Sequence, residues 1–295
     1  HLHQGICQKV AIFIQDALKR CLFAKEKRHL LLSLKTNIKL HVGCMADVVC
    51  MLVEIQNLKK YFKVKAGLFQ KAEWIHAVND VSLSIKSNEI VALVGESGCG
   101  KSTLGRVCLG LYEPTSGYVF FLGQNVHTLK KEKSKEFKRK AQIIFQDSYA
   151  ALNPRRTLYN IVAQPFTVHN VLQKKKIKDG VKKLLTEVGL TPPELFFSRY
   201  PHELSGGQRQ RVCIARAIAL NPIFLVADEP VSSLDMAVRA QILNLLKKLK
   251  KDHKLSILFI THELSVVRSI ANRVAVMYLG SIVELAEVAD LFDKP

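Results

Sequence analysis

Residues 95–103 read Gly-Glu-Ser-Gly-Cys-Gly-Lys-Ser-Thr, directly after the uninterrupted apolar run Ile90-Val91-Ala92-Leu93-Val94. A continuous apolar run of this length is the pattern of a strand buried on both faces, as in the parallel sheets of α/β proteins. Apolar positions resume from Leu104 to Leu109, as an opening helix would place them. Strand, glycine loop of the form G-x-x-x-x-G-K-[ST] and helix, in that order, make a cradle for phosphates. Side chains at Gly95, Gly98 and Gly100 would keep backbone N–H groups from converging on phosphate oxygens. Ser97, Cys99 and Thr103 complete the loop, Lys101 brings a positive charge to the β- and γ-phosphates, and Ser102 offers a hydroxyl to Mg²⁺. The chain is therefore expected to hold a nucleoside triphosphate in an α/β fold.

Two further buried runs end in polar residues: Ile223–Ala227 in Asp228-Glu229, and Ile257–Ile260 in Thr261-His262. Open α/β sheets place ligands at the carboxyl ends of such strands. Adjacent carboxylates there are costly unless they meet a cation and a water, so Asp228 is expected in the Mg²⁺ shell. Val53-Glu54-Ile55 and Val81–Ile85 alternate apolar and polar, the pattern of half-exposed antiparallel strands. Residues 149–212 show no strand pattern. Their helical periodicity (Val181, Leu184, Leu185, Val188) and their prolines predict an inserted helical subdomain. Val274–Tyr278, Gly280 and Ile282-Val283 read as a terminal hairpin. No internal repeat is visible, so the chain carries one nucleotide-binding unit.

The net charge is +19, much of it in lysine-rich tracts at 130–140, 174–183 and 247–254. These tracts lack interleaved aromatics for base stacking, which favours solvated helix faces over a nucleic-acid surface. The seven cysteines (7, 21, 44, 50, 99, 108 and 213) form no C-x-x-C pair and read as free thiols. Cys99, in the phosphate loop at a helix start, is expected to have a lowered thiol pKa and to react readily with alkylating agents. Residues 1–44 carry +6 of the charge and read as a basic extension outside the fold, ahead of a natural start at Met45 or Met51. Within them, Val10 to Phe23 is a candidate amphipathic helix. No run approaches the roughly 20 apolar residues of a membrane-spanning helix.

Ser205-Gly206-Gly207-Gln208 opens a helix to about Leu220, with Val212, Ala215 and Ala219 on a buried stripe. A glycine-led helix start is a second anion site, in a chain that already has one. The P-loop followed by Leu204-Ser205-Gly206-Gly207-Gln208 resembles the ATP-binding subunit of an ABC transporter. That resemblance resolves the duplication, because each signature would cap the ATP held by the other subunit of a head-to-tail dimer. It implies a P-loop NTPase of ABC type: a mixed central sheet, an N-terminal antiparallel β-subdomain and an inserted helical subdomain, within a domain spanning 52–295.

By the same resemblance, Glu229 polarises the attacking water and His262, in Phe-Ile-Thr-His-Glu, is the switch histidine at the γ-phosphate. Gln146, in Ile-Ile-Phe-Gln-Asp, senses Mg²⁺ and the water. Asp235, in Ser233-Leu234-Asp235, belongs to the loop that crosses the dimer interface. Counting from Asn57, Phe62 rather than Tyr61 is expected to stack on adenine. Asn57–Phe62, Gly95–Arg106, Gln142–Asp147 with Tyr149–Arg155, and Val226–Asp235 resemble the ATPases of oligopeptide and dipeptide importers, closest to the second ATPase of such systems. Ser148, Met236 and Arg239 depart from that pattern. The implied partners are membrane-spanning permease subunits, a second identical or homologous ATP-binding subunit and, indirectly, a solute-binding protein, with no nucleic acid. The implied place is the cytoplasmic face of the plasma membrane, and the family's C-terminal extension past a proline like Pro295 is expected to be missing. The other reading is a soluble ABC-type ATPase acting on nucleic acid or ribosomes.

Overall fold

The computed structural model describes residues 51–64 and 73–293, so the proposed extension, its candidate helix and the alternative starts at Met45 and Met51 lie outside or at the edge of the described residues. The strands are β1 (Met51–Val64), β2 (Glu73–Lys86), β3 (Ile90–Val94), β4 (Ser116–Phe121), β5 (Gln124–Asn125), β6 (Ala141–Ile144), β7 (Phe224–Asp228), β8 (Ser256–Thr261), β9 (Arg273–Tyr278) and β10 (Ser281–Glu287). They form two sheets, a four-stranded one in the order β2-β1-β4-β5 and a six-stranded one in the order β10-β9-β3-β8-β7-β6. The first is antiparallel throughout. In the second, the neighbours from β9 to β6 run parallel and β10 closes the edge antiparallel to β9.

The difference between the sheets follows from their sequences. Every residue of β3, β7 and β8 is buried, whereas β1 and β2 alternate over residues 53–56 and 81–85. The inward residues Val53, Ile55, Leu58, Val81, Leu83 and Ile85 join the underside of β3, β7 and β8 in one cluster. Each such side chain contributes about 1.5–3 kcal/mol on full burial. The hairpin at the carboxyl end is β9–β10, as its pattern predicts. β4, β5 and β6 have no sequence signal strong enough to name.

Between Ile144 and Phe224 the chain makes no strand. After α1 (Lys101–Cys108) and α2 (Lys131–Lys140) come α3 (Leu158–His169), α4 (Ile177–Glu187) and α5 (Gly206–Ile218). These last three pack together through Ile161, Phe166, Val181, Leu185, Val188 and Val212. Thr157 caps α3 by accepting from the Asn160 N–H, satisfying an otherwise orphaned donor. α6 (Met236–His253), α7 (Leu264–Ile270) and α8 (Val288–Asp293) complete the fold.

The lysine tracts fall largely on exposed helix faces. Only Phe137 is buried on α2, and cations fill the last turns of α2 and α6 (Lys138, Arg139, Lys140; Lys250, Lys251). There they oppose the negative ends of the helix dipoles.

Candidate nucleotide-binding site

Parallel register brings the polar strand ends to one edge. Val94 pairs with Thr261, and Asp228 with Ile260, so the loops after β3, β7 and β8 emerge side by side. The loops after β3 and β7, with Gln146 after β6, bound a cleft of about 560 Å³ lined by residues 97–103, Gln146 and Glu229, with Ile75, His76, Ala77, Leu279 and Gly280 at its rim. A larger groove of about 890 Å³ lies away from this chemistry, against α2 and the ends of α3 and α5. His169 there is depressed in pKa by burial and by Arg139 and Lys135.

The loop's glycines have steric causes. Gly100 has φ +107°, and a Cβ on it would lie 1.9 Å from the Ala77 carbonyl oxygen of β2. A Cβ on Gly95 would lie 2.1 Å from the Met277 carbonyl oxygen of β9. The loop is thus squeezed between the two sheets, and only glycine lets its N–H groups line the cleft. Lys101 is buried, and its ammonium donates to the carbonyls of Gly95 (2.9 Å) and Glu96 (2.7 Å). Its remaining N–H faces the Cys99 sulfur at 3.8 Å, a weak acceptor that a phosphate oxygen can replace.

Cys99 departs from its sequence expectation. Its thiol is 7% exposed, and burial raises its pKa above the ordinary value, with Lys101 opposing. Desolvation outweighs the helix start and the ammonium. The described cysteines, Cys99, Cys108 and Cys213, are all free and buried.

Ser102 Oγ donates to Asp228 Oδ1 at 2.7 Å. Asp228 is 1% exposed, and burial raises its pKa, opposed by the Ser102 hydrogen bond and by Arg106. Glu229 adopts φ +45°, an unusual conformation for a non-glycine residue and one that recurs at functional sites. Its N–H donates to the Ile260 carbonyl (3.0 Å), which locks this turn to β8. Its carboxylate is held from both sides: Gln146 Nε2 donates to Oε2 at 2.9 Å, and His262 Nδ1 lies 3.2 Å from Oε1. Gln146, Glu229 and His262, distant in sequence, thus meet at the cleft mouth.

Ser205 through Gln208 and Asp235 do not line this cleft. Ser205 caps α5, accepting from the Gln208 N–H (3.3 Å) while Gln208 Oε1 accepts from the Ser205 N–H (3.1 Å). This capping box accounts for the serine and the glutamine. Gly207 has a steric cause, since a Cβ on it would lie 2.5 Å from Val238 Cγ1 of the following helix, while Gly206 is less crowded. Asp235 caps α6, accepting from the Val238 N–H at 2.9 Å.

Phe62 is not brought to the cleft either. Its ring meets Tyr112 edge-on and lies under Lys60. Tyr61 instead stacks on its cross-strand partner His76, a rim residue, with ring centroids 3.9 Å apart. Register shifts at Leu58/Lys60 and Lys60/Tyr61 mean that counting along the sequence does not fix which ring faces the cleft. The rim residues His76, Ala77, Leu279 and Gly280 carry no motif, and sequence reasoning missed them.

A phosphate loop, a carboxylate pair and a histidine at the ends of adjacent parallel strands define a nucleotide-hydrolysing P-loop protein. The chain belongs to the ABC transporter family, whose model matches residues 78–232. It is 49% identical over 246 residues to the oligopeptide transport ATP-binding protein AppF of Bacillus subtilis, covering 83% of this chain and 74% of that protein. It is 48% identical over 246 residues to OppF of the same organism, with 83% and 78% covered. It is 46% identical over 244 residues to the glutathione import ATP-binding protein GsiA of Escherichia coli K12, covering 82% of this chain and 39% of that longer protein. Among solved structures, the dimeric post-hydrolysis state of the ATP-binding cassette MJ0796 with ADP and Pi superposes with TM-score 0.70 at 31% identity, over 80% of this chain and 98% of that one. The cbiO1 component of the cbiONQ transporter complex from Clostridium perfringens gives 0.70 at 26% identity, over 83% and 91%. The chain is an ATP-binding, ATP-hydrolysing cassette.

Proposed function

We propose that this chain powers an importer of peptides, and that Glu229 is its catalytic base. The observation that carries the second part is the suspension of the Glu229 carboxylate between Gln146 and His262, beside the Ser102–Asp228 pair. A carboxylate fixed from two sides can accept a proton from a water aimed at the γ-phosphate without first reorganising. Gln146 and His262 orient it, and His262 is also within reach of a γ-phosphate oxygen. Residues 97–103 bind the triphosphate through backbone N–H groups, and Lys101 turns its third N–H to it. Tyr61, stacked on His76, offers a better adenine platform than Phe62.

The oxygen donors fit Mg²⁺, since Ser102 and Asp228 supply hard ligands at the phosphate end and Gln146 stands close by. Among the described residues no cluster of His, Cys, Asp and Glu could hold a metal by itself, so phosphates and waters would complete the shell. Such an ion, when bound, neutralises charge on the transferred phosphoryl group.

Ser205–Gln208 and Asp235 act in trans, in a head-to-tail pair with a second identical or homologous subunit. Their distance from the cleft of their own chain and the dimeric state of the MJ0796 relative support this reading. Closing the pair around ATP and reopening after hydrolysis moves the helical part of residues 149–212, which we assign to docking on permease subunits at the cytoplasmic face of the membrane. No helix of the described residues is long and apolar enough to cross a membrane. Peptide cargo is supported by the names of AppF and OppF. A solute-binding protein would select it.

The test is ATP hydrolysis by the purified chain, alone and joined to its permease subunits in vesicles. Peptide-dependent stimulation supports the importer reading. Hydrolysis indifferent to permease but raised by nucleic acid or ribosomes would overturn it.

A further inference from the structure

Arg239, one turn into α6 and at a position that departs from the oligopeptide-importer pattern, reaches in two directions. One Nη donates to the Leu234 carbonyl at 3.3 Å, inside Ser233-Leu234-Asp235, and the other pairs with Glu263 Oε2. Both partners are part-buried, with side chains 27% and 22% exposed, so the pair is screened less than a fully exposed one. Glu263 directly follows His262, and its N–H donates to Thr261 Oγ1 at 3.1 Å at the end of β8. His262 has a half-exposed ring whose contact is with Glu229. Its place is therefore set by its flanks, Thr261 anchored in the sheet and Glu263 tethered to Arg239. A guanidinium can hold two acceptors at fixed angles, which a lysine ammonium does less well.

We propose that Arg239 is a positioning residue for hydrolysis. Its pair with Glu263 keeps His262 beside Glu229, and its bond to the Leu234 carbonyl ties that arrangement to the loop at 233–235. A displacement of that loop moves the guanidinium, then Glu263, then the histidine. The energetic coupling is reciprocal, so a ligand that fixes His262 also fixes the loop. This inference rests on the assignment of Glu229 and His262 to hydrolysis.

The experiment compares the full chain with Arg239→Met, Arg239→Lys, Glu263→Gln and the Arg239→Met/Glu263→Gln double variant. Steady-state hydrolysis, ATP binding and the fraction folded are measured for each. A shift of a few tenths of an ångström at His262 should lower kcat about 10-fold, against roughly 10²-fold for a full ångström. Arg239→Met and Glu263→Gln should show that loss, with KM for ATP unchanged within about twofold. The double variant should be no worse than either single one, because both cut the same link. Arg239→Lys should recover part of the rate.

Parental kcat in either single variant would overturn the proposal. So would losses that multiply in the double variant, or a loss matched by an equal fall in the fraction folded. Glu229→Gln and His262→Ala run alongside. If these keep the parental rate, the underlying assignment has failed. If they lose it while the Arg239 variants do not, only the coupling has failed.

Discussion

Replacing Gly100 by alanine tests whether the phosphate loop is held by the sheet behind it. The new Cβ would start 1.9 Å from the Ala77 carbonyl oxygen, where real Cβ atoms stop near 3.0 Å. Either β2 or the loop must therefore yield by about 1 Å. β2 is held by β1 on either side of Ala77, through Val78 and His76, so the loop gives way. The φ of +107° adds a left-handed penalty of about 1–2 kcal/mol for an L side chain. A displacement of about 1 Å in groups that position a reacting phosphate costs on the order of 10²-fold in rate. Hydrolysis by Gly100→Ala should fall by at least that much, and titration with a fluorescent ATP analogue should show weakened binding. Gly123→Ala is the control. Gly123 has φ +72° in the β4–β5 turn, and a Cβ on it would meet nothing within 4 Å, so it bears the conformational cost alone. It should lose about 1 kcal/mol of stability and keep parental ATP binding. Parental hydrolysis in Gly100→Ala, or equal loss of ATP binding in Gly123→Ala, would refute the reasoning.

Two further outcomes follow from the buried groups of the cleft. Burial raises the Asp228 carboxyl above its unfolded value, so the stability linked to it is fully present below about pH 4 and is lost as pH rises through the folded pKa. Asp228→Asn should therefore melt higher than the parent at pH 7 without nucleotide, with the gap closing towards pH 4, while Mg²⁺-dependent hydrolysis is lost; an Asn variant that melts lower at pH 7 would contradict this. Because burial raises the Cys99 thiol, iodoacetamide should label it slowly at pH 7 and faster above pH 9, and rapid labelling at pH 7 read by mass spectrometry would show the thiol to be more exposed than it is here.

Much of the site was legible because elementary physics forces it. A buried β3 followed by Gly95–Thr103 needs glycine where two strands press on the loop, and Asp228-Glu229 at the end of a buried strand needs a reason to exist. Gln146 and His262 carry no such compulsion, since a lone Gln or His is ordinary, and only resemblance singled them out. Their meeting at Glu229 depends on the registers of β6 and of β8 against β7. The Arg239–Glu263 pair joins residues on different elements and leaves no periodic trace. Sequence does not choose between Tyr61 and Phe62 as the adenine platform, because the pairing of β1 around them is irregular. The Cys99 expectation considered the helix start and the ammonium but not burial, which sequence does not display. β6 escaped because Ala141–Ile144 is too short to show a period, and β4 because Ser116–Phe121 mixes exposed and buried aromatics.

The most direct measurement is the mass in solution of Glu229→Gln with ATP and Mg²⁺, by light scattering, with bound nucleotide identified after separation. The amide keeps the shape of the carboxylate and can still accept from Gln146, so ATP binding should survive. Hydrolysis should fall about 10²- to 10⁴-fold. The variant should then run as a dimer that retains ATP, where the parent returns to monomer with ADP. A variant that stays monomeric with ATP bound, or that hydrolyses at the parental rate, would contradict both the role of Glu229 and nucleotide-driven closure.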